Sequence, residues 1–168
     1  MPAEPQRRQS TVTAASSWTP WSWEKDVEVA AIRNVPVLIS AGPAESQEIA
    51  CQLSRKSRSP RPWVRIVDCR GPEAAAVVQS LCGKDHPGSC PEILLLQEVW
   101  ALGLTEQCVL EARLEQALLH PEACAGVRIL ASSSVPLFER LGQQAFRERL
   151  YYLLNMIHIE LPSEAQYS

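Results

Sequence analysis

The stretch VLISAGPAESQE, Val37 to Glu48, decides the fold because it runs from an apolar β-type segment through a Gly-Pro turn into a helical pattern. A strand, a turn and a helix N-terminus are the repeating unit of α/β proteins, and the turn is where such proteins collect phosphate groups. A working phosphate-binding loop has the pattern G-x-x-x-x-G-K-[ST], in which glycines let the backbone wrap the phosphates and the lysine meets their charge. The stretch keeps the order of elements but few of those residues.

The same alternation of apolar segments and helical patterns continues through the chain. The predicted strands are Pro36–Ser40, Trp63–Asp68, Glu92–Leu96, Val127–Ser132 and Met156–Leu161. The predicted helices are Ala44–Lys56, Pro72–Leu81, Thr105–Leu119, Pro136–Gly142 and Gln144–Leu154, with Thr105 as the N-cap of the third. Continuous apolar strands between helices predict a mostly parallel five-stranded sheet covered on both faces, with ligands at the carboxyl ends of the strands.

Length and composition exclude several classes of function. With 168 residues, 46% of them hydrophobic, the chain suits one domain with one core. The net charge of -3 gives no basic field for nucleic acid, so we expect no direct DNA binding. No apolar run reaches the roughly 18 residues of a membrane span, and the first residues lack a signal-peptide core. We therefore expect a cytoplasmic protein without membrane contact.

The cysteines do not predict a metal or disulfide framework. All six lie outside any C-x-x-C pair, so free thiols are expected. The segment CGKDHPGSC brings Cys82, His86 and Cys90 together, but a structural zinc site takes four ligands and this segment offers three. We expect no metal site.

Residues 1–24 are predicted to form a flexible arm, 25–162 the folded core and 163–168 a tail. The arm contains Trp18, Trp21 and Trp23, which are too apolar to remain in water. We expect them either to fold back on the domain or to meet a partner.

The C-terminal third carries a resemblance to a known family. AFRERLYYLLNMIHIELP, Ala145 to Pro162, resembles the end of the ATPase core of sigma-54-dependent transcription activators, where FRxDLYYRLN precedes an apolar strand ending in LP. Upstream, VLISAGPAESQEIACQLSRKSRSP resembles the Walker A strand and helix of that family, EILLLQEVWALGLTEQCVLEARLEQAL its Walker B strand and helix, and VRILASSS its sensor strand. The resemblance spans about residues 35–162 in the family's order. It implies a P-loop NTPase-like AAA+ core, a three-layer α/β sandwich, here without the helical lid.

The resemblance also implies the location of a nucleotide site whose residues have changed. The altered Walker A turn comprises Ala41, Gly42, Pro43, Ala44, Glu45, Ser46, Gln47 and Glu48. Three of these replace glycines of the family, at 41, 44 and 46, and Gln47 replaces the phosphate-binding lysine. Loss of the lysine alone is expected to weaken binding by one or two decades, since a hydrogen bond to a charged group contributes about 1.5–3 kcal/mol.

The other catalytic positions implied by the resemblance are altered as well. The Walker B pair Asp-Glu becomes Gln97 and Glu98, so that a vestigial glutamate remains without the aspartate that organises Mg²⁺. Ser134 occupies the position of the sensor Asn. Arg147 falls on the arginine-finger position, while Leu153 replaces a second arginine. An alternative interpretation of Arg147 is a surface charge on a helix.

Two functions follow from the resemblance. The first is a degenerate activator-type domain, expected to be non-catalytic, to need no cofactor and to regulate or contact a protein such as an AAA+ subunit. The second is an ATP-binding, sigma-54-dependent regulator, with Mg²⁺ and weak or absent hydrolysis. No segment resembling the sigma-factor-gripping GAFTGA insertion is found between Asp68 and Glu92. A relic without selected activity is a third possibility.

Overall fold

The computed structural model describes residues 22–57, 63–81, 93–121 and 127–162. The strands are β1 (Val37–Ser40), β2 (Val64–Asp68), β3 (Ile93–Gln97), β4 (Arg128–Ser133) and β5 (Ile157–Glu160). The helices are α1 (Trp23–Ile32), α2 (Pro43–Lys56), α3 (Ala74–Ser80), α4 (Leu104–Leu119), α5 (Leu137–Gly142) and α6 (Glu148–Leu154), with a 3₁₀ helix at Val99–Ala101.

The five strands form one sheet in the order β2-β3-β4-β1-β5, and every neighbouring pair is parallel. β1 therefore lies between β4 and β5, with Ser40 opposite Ser133 on one side and Glu160 on the other. After β1 the chain crosses to the edge of the sheet, where it forms β2, and it then returns through β3 and β4 to the strands beside β1. The turn after β1 thus lies at the topological switch point, where sheets of this kind bind ligands.

Helices cover both faces of the sheet, which gives three layers. On one face, α1 and α2 pack on inward side chains such as Val37, Ile39 and Leu95. On the other face, α3 to α6 pack on Leu38, Leu96 and their neighbours. The alternation of Val37 and Ile39 with Leu38 between the two faces follows from the two-residue period of a strand. The predicted parallel α/β sandwich is confirmed.

The five predicted strands are confirmed to within a residue or two at their ends, but two predictions on helices are wrong and one helix was not predicted. Gly103, rather than Thr105, is the N-cap residue of α4. The last predicted helix begins four residues late, because Gln144 has a left-handed backbone with a φ of 55° and breaks the helix before α6. Helix α1 received no prediction at all.

Helix α1 is absent from the predicted elements, and the predicted arm, residues 1–24, overlaps its first two residues. Its apolar residues nevertheless follow a helical period, since Trp23, Val27 and Ala30 are spaced by four and three. Val27 and Ala30 are buried, and Trp23 packs partly buried against the same cluster. Trp23 therefore folds back on the domain, whereas Trp18 and Trp21 lie outside the described residues.

Candidate nucleotide site

The turn after β1 is only two residues long. Ala41 and Gly42 follow the strand, and α2 begins at Pro43, a residue well suited to the first helical position because it lacks an N–H. The N–H of Ser46 donates to the carbonyl of Gly42 at 3.0 Å, so this segment makes helical hydrogen bonds. A phosphate-binding loop instead turns its N–H groups toward the phosphates. The first turn of α2 here occupies the place of that loop.

The N-terminus of α2 faces a carboxylate from its own first turn. Glu45 Oε2 lies 2.7 Å from the position that a Cβ atom on Gly42 would occupy, so the side chain folds back over the start of the helix. The helix dipole and the free N–H groups favour a negative group at this place. A phosphate bound there would meet the charge of Glu45. Gly42 has φ -68° and ψ 171°, which any residue can adopt.

Gln97, which the resemblance places at the Walker B position, connects the end of β3 to the start of α2. Its Nε2 donates to the carbonyl of Pro43 at 2.7 Å and to Ser46 Oγ at 3.3 Å. Ser46 Oγ in turn donates to the same carbonyl at 3.0 Å, and both Gln97 and Ser46 are buried. Both amide hydrogens of Gln97 are therefore used inside the protein. A carboxylate at this position could not donate either bond.

Gln47 and Glu48, which complete the altered Walker A turn, are exposed on the surface of α2. Glu48 accepts a hydrogen bond from Gln52, one turn further along the helix, at 3.3 Å, and lies 3.8 Å from Arg55, two turns further along. Together with exposed Ala44, these side chains form an ordinary solvated helix surface.

Glu98 is buried at the end of β3, and one oxygen of its carboxylate accepts three hydrogen bonds. Oε2 accepts hydrogen bonds from the indole N–H of Trp100, from the N–H of Ser134 at 3.3 Å and from Ser134 Oγ at 2.9 Å. The backbone of Glu98 is left-handed, with a φ of 53°, a conformation that is uncommon for a residue other than glycine. The predicted vestigial glutamate and sensor residue thus meet, but they bind each other.

The contacts around the Glu98 carboxylate continue through Trp100 to helix α5. The guanidinium of Arg140 lies over the ring of Trp100, 4.4 Å from its centroid, in a cation–π contact. Trp100 therefore joins the end of β3 to α5 while it holds the Glu98 carboxylate. Nothing in the sequence pattern pointed to Trp100 as a partner of the site.

Arg147 is tied to the domain itself. Its Nε and a terminal nitrogen donate to the two carboxylate oxygens of Glu111 on α4, at 2.8 and 2.9 Å. The side chain of Arg147 is 40% exposed and that of Glu111 is 11% exposed. The Arg147 guanidinium lowers the pKa of Glu111. An arginine finger must reach a neighbouring subunit, whereas this arginine makes a bidentate pair within its own chain.

Further contacts connect helix α4 to helix α6 and to the residues just before α6. Buried Gln107 on α4 accepts from the N–H of Arg147 at 2.9 Å and donates to the carbonyls of Leu102 and Ala145, at 2.8 and 3.2 Å. Arg149 pairs with Glu115 one turn further along α4. Arg147 therefore lies at the N-terminus of α6 as a structural contact between α6 and α4.

Cys69 follows β2 near the same edge of the sheet and is buried. Burial, together with the nearby charges of Asp68 and Glu98, raises the pKa of its thiol to about 12. The thiol is therefore protonated and unreactive at neutral pH. Arg70 pairs with Asp68 at 2.7 Å, and this pairing lowers the pKa of Asp68.

A serine–histidine contact was missed by the sequence analysis. Ser40 Oγ and His158 Nε2 lie 2.7 Å apart on the neighbouring strands β1 and β5. His158 lies on β5 and is exposed. Among the hydrogen bonds of the described residues no carboxylate orients this imidazole, as a nucleophilic triad requires. His120 is the C-cap residue of helix α4.

Within the described ranges, no cluster of three or more His, Cys, Asp or Glu side chains could hold a metal ion. Cys82, His86 and Cys90 lie outside those ranges, as does much of the segment between Asp68 and Glu92. No helix of the described residues has the length and apolar character needed to cross a membrane.

Comparison with solved structures identifies the class of fold. NtrX from Brucella abortus in complex with ATP superposes with a TM-score of 0.62 at 20% identity, over 85% of this chain and 36% of NtrX. The P-loop NTPase domain of the sigma-54 transport activator from E. coli gives 0.59 at 14% identity, over 84% of this chain and 93% of that domain. The RuvB Holliday junction branch migration motor of Thermotoga maritima gives 0.53 at 14% identity, over 83% and 42%. The chain thus has the P-loop NTPase-like fold of an AAA+ core.

The family within that class is defined by sequence. The family described as the Sigma-54 interaction domain matches residues 16–163, nearly the whole chain. The protein belongs to the Sigma-54 interaction domain family, as its resemblance implied. A comparison with curated proteins gives no match.

Proposed function

We propose that this protein is a non-catalytic member of its family that acts as a regulatory or protein-interaction module in transcription control. The observation that carries the proposal is the hydrogen bonding at the start of α2. Glu45 covers the helix N-terminus, and Gln97 donates to Pro43 and Ser46. Residues that would have to receive phosphate and Mg²⁺ are therefore engaged with one another.

The charges of the site support the absence of turnover. Phosphoryl transfer needs a metal ion to neutralise developing charge, and a carboxylate is the usual ligand that organises it. Gln97 presents amide hydrogens to its neighbours and cannot replace that carboxylate. Glu98 has its charge directed to Trp100 and Ser134. We therefore propose that no cofactor is required.

The surface of α5 and α6 supports a protein partner. Phe138, Tyr152 and Met156 are 65%, 57% and 47% exposed. The rings of Phe138 and Tyr152 both pack edge-on against Tyr151. Exposed aromatic groups of this kind commonly mark protein contacts. We propose that an AAA+ subunit or another regulator binds here, in the cytoplasm and without direct contact between this protein and DNA.

A second candidate function is nucleotide binding with weak or absent hydrolysis. The observation that favours it is the similar fold of NtrX, which was crystallised in complex with ATP. On this alternative, the side chains of Glu45 and Gln97 would each have to move away from the start of α2 when nucleotide enters. ATP would then act as a ligand that stabilises one arrangement of the domain.

Thermal unfolding with and without ATP and Mg²⁺ distinguishes the two candidates. A ligand at five times its dissociation constant stabilises the folded state by about 1 kcal/mol, which raises the melting temperature by about 2–4 °C. We expect no shift with 5 mM ATP. A shift that saturates with ATP and is absent with adenosine would favour the second candidate.

The partner is tested by adding the protein to an intact sigma-54 activator ATPase and measuring that enzyme's ATP turnover. We expect the rate to change with a saturable dependence on the added protein. Tyr152→Ala should weaken the effect, and Leu119→Ala serves as a control, because Leu119 is also exposed but lies at the far end of α4. An unchanged rate would contradict this choice of partner.

A further inference from the structure

A large cleft lies at the carboxyl ends of β1, β4 and β5. It has a volume of about 1090 Å³ and is bounded by the start of α1 on one side and by α5 and α6 on the other. Ser22 and Pro162, at opposite ends of the described core, both line it. The cleft is distinct from the first turn of α2, because no residue from Pro43 to Glu48 is among its lining residues.

The lining residues combine aromatic and acidic side chains. Trp23, Phe138 and Tyr151 supply the aromatic surface, and Glu24 and Glu160 supply negative charge. No lysine or arginine is found among the described lining residues. An occupant that complements this cleft therefore presents apolar rings together with positive charge.

We propose that residues 1–21 of this chain occupy the cleft, with Trp18 and Trp21 as its aromatic anchors. The segment ends at Trp21, and the next residue, Ser22, lines the cleft. Trp18 is four residues from Ser22, and four extended residues span at most about 14 Å. The length of chain from Ser22 therefore allows both indoles to reach the cleft.

Charge and tethering favour this occupant. The segment carries Arg7 and Arg8 against the single acidic residue Glu4, which complements the acidic lining. Because it is joined to the cleft by the peptide chain, its effective concentration there is in the millimolar range, so that a separate partner must compete with it. Phe138 belongs both to this cleft and to the partner surface proposed above, but Tyr152 and Met156 do not line the cleft, so the Tyr152→Ala test of the partner and the test of this inference can fail separately.

The test uses the full chain labelled with 5-fluorotryptophan. Five fluorine signals are expected, each assigned by a single Trp→Phe variant. Phe138→Ala removes an aromatic wall of the cleft, so we expect the signals of Trp18 and Trp21 to move. The signal of Trp63, next to β2 at the opposite edge of the sheet, should stay in place and reports that the variant is folded. Leu119→Ala is the matched control, with no expected movement at Trp18 or Trp21.

A second measurement follows the stability of the same chain. Replacing Trp18 and Trp21 together by alanine should lower the melting temperature by about 4–8 °C. Phe138→Ala should then lower the melting temperature of this double variant by less than it lowers that of the parent chain, because the contacts it removes are already lost. If the fluorine chemical shifts of Trp18 and Trp21 were the same in Phe138→Ala as in the parent chain, the inference would be overturned. Signals that move with protein concentration would overturn it too, because they would assign the cleft to a second copy.

Discussion

Replacing Gln97 by glutamate tests whether the first turn of α2 is held by an amide donor. The substitution keeps the size and shape of the side chain but exchanges its NH₂ group for a carboxylate oxygen. In the wild type that group donates to Pro43 at 2.7 Å and to Ser46 at 3.3 Å. The new carboxylate would instead face the Pro43 carbonyl, oxygen against oxygen.

The expected cost follows from the contacts. Two hydrogen bonds contribute about 1 kcal/mol each, and a charge placed at a position that is 7% exposed adds a desolvation penalty. We expect Gln97→Glu to lower the free energy of unfolding at pH 7 by about 3 kcal/mol. For a domain of this size the melting temperature should fall by about 6–12 °C.

The stability lost in Gln97→Glu should depend on pH, and the direction of this dependence follows from the pKa of the new carboxyl group. Burial and the Pro43 carbonyl should raise the pKa of the introduced carboxyl above its unfolded value of about 4.3. The folded state of the variant then binds the proton more tightly, so its stability deficit shrinks as pH falls through the raised pKa. The protonated form can again donate one hydrogen bond to the Pro43 carbonyl.

Urea unfolding at pH 5, 7 and 8 is the assay, with Gln47→Glu as the matched control. The control introduces the same carboxyl on the exposed side of the same helix, where we expect a change of at most about 0.5 kcal/mol. If Gln97→Glu were as stable as the control at pH 7, or if Mg²⁺ stabilised it, position 97 would be a vacant metal ligand site and the reasoning would fail.

Two further predictions concern the neighbouring contacts. Glu111→Gln should lower the melting temperature at pH 7 by about 2–5 °C, more than Glu115→Gln does, because Glu111 forms the less exposed pair with Arg147. Since pairing lowers the pKa of Glu111, its contribution is complete above about pH 4.3 and is lost at lower pH, so the wild type and Glu111→Gln should converge near pH 3; parallel curves would contradict this role. In the native protein, iodoacetamide should modify exposed Cys108 at least tenfold faster than Cys69, whose pKa is raised by burial, as peptide mass spectrometry would show; equal rates would refute the burial argument.

The strands and most helices could be predicted because their signals are local. Ile93 to Leu96 form an uninterrupted apolar run, and such runs suit a strand that is buried on both faces. The leucines of α4 at 110 and 114 repeat every four residues and are buried. Helix α1 has the same type of signal, at Val27 and Ala30, but it was overlooked beside the tryptophans.

The sequence could name candidate site residues, but it could not predict their contacts. Gln97 and Pro43 are separated by 54 residues in sequence, and Arg147 and Glu111 by 36. No local pattern reports such a pair, since it depends on which strands become neighbours. The structure brings Gln97, Ser46 and Pro43 together, as the family's order of motifs implies for the segments, and it separates Gln47 from them on the exposed surface.

One local signal did indicate that the loop is replaced by a helix. Proline at the first helical position and glutamate two residues later are common features of a helix start. Pro43 and Glu45 have this spacing, which places the start of α2 directly after Gly42. An alignment to the Walker A pattern obscures that signal, because it treats the same residues as a loop.

Calorimetric titration of the protein with ATP and Mg²⁺ tests the central claim most directly. The concentrations should allow detection of a dissociation constant near 1 mM, and Gln47→Lys should be titrated in parallel. We predict no saturable heat for either protein, because Gln47 is exposed and Glu45 and Gln97 occupy the start of α2. Saturable binding that Gln47→Lys strengthens would show that the phosphate site is open and would contradict the claim.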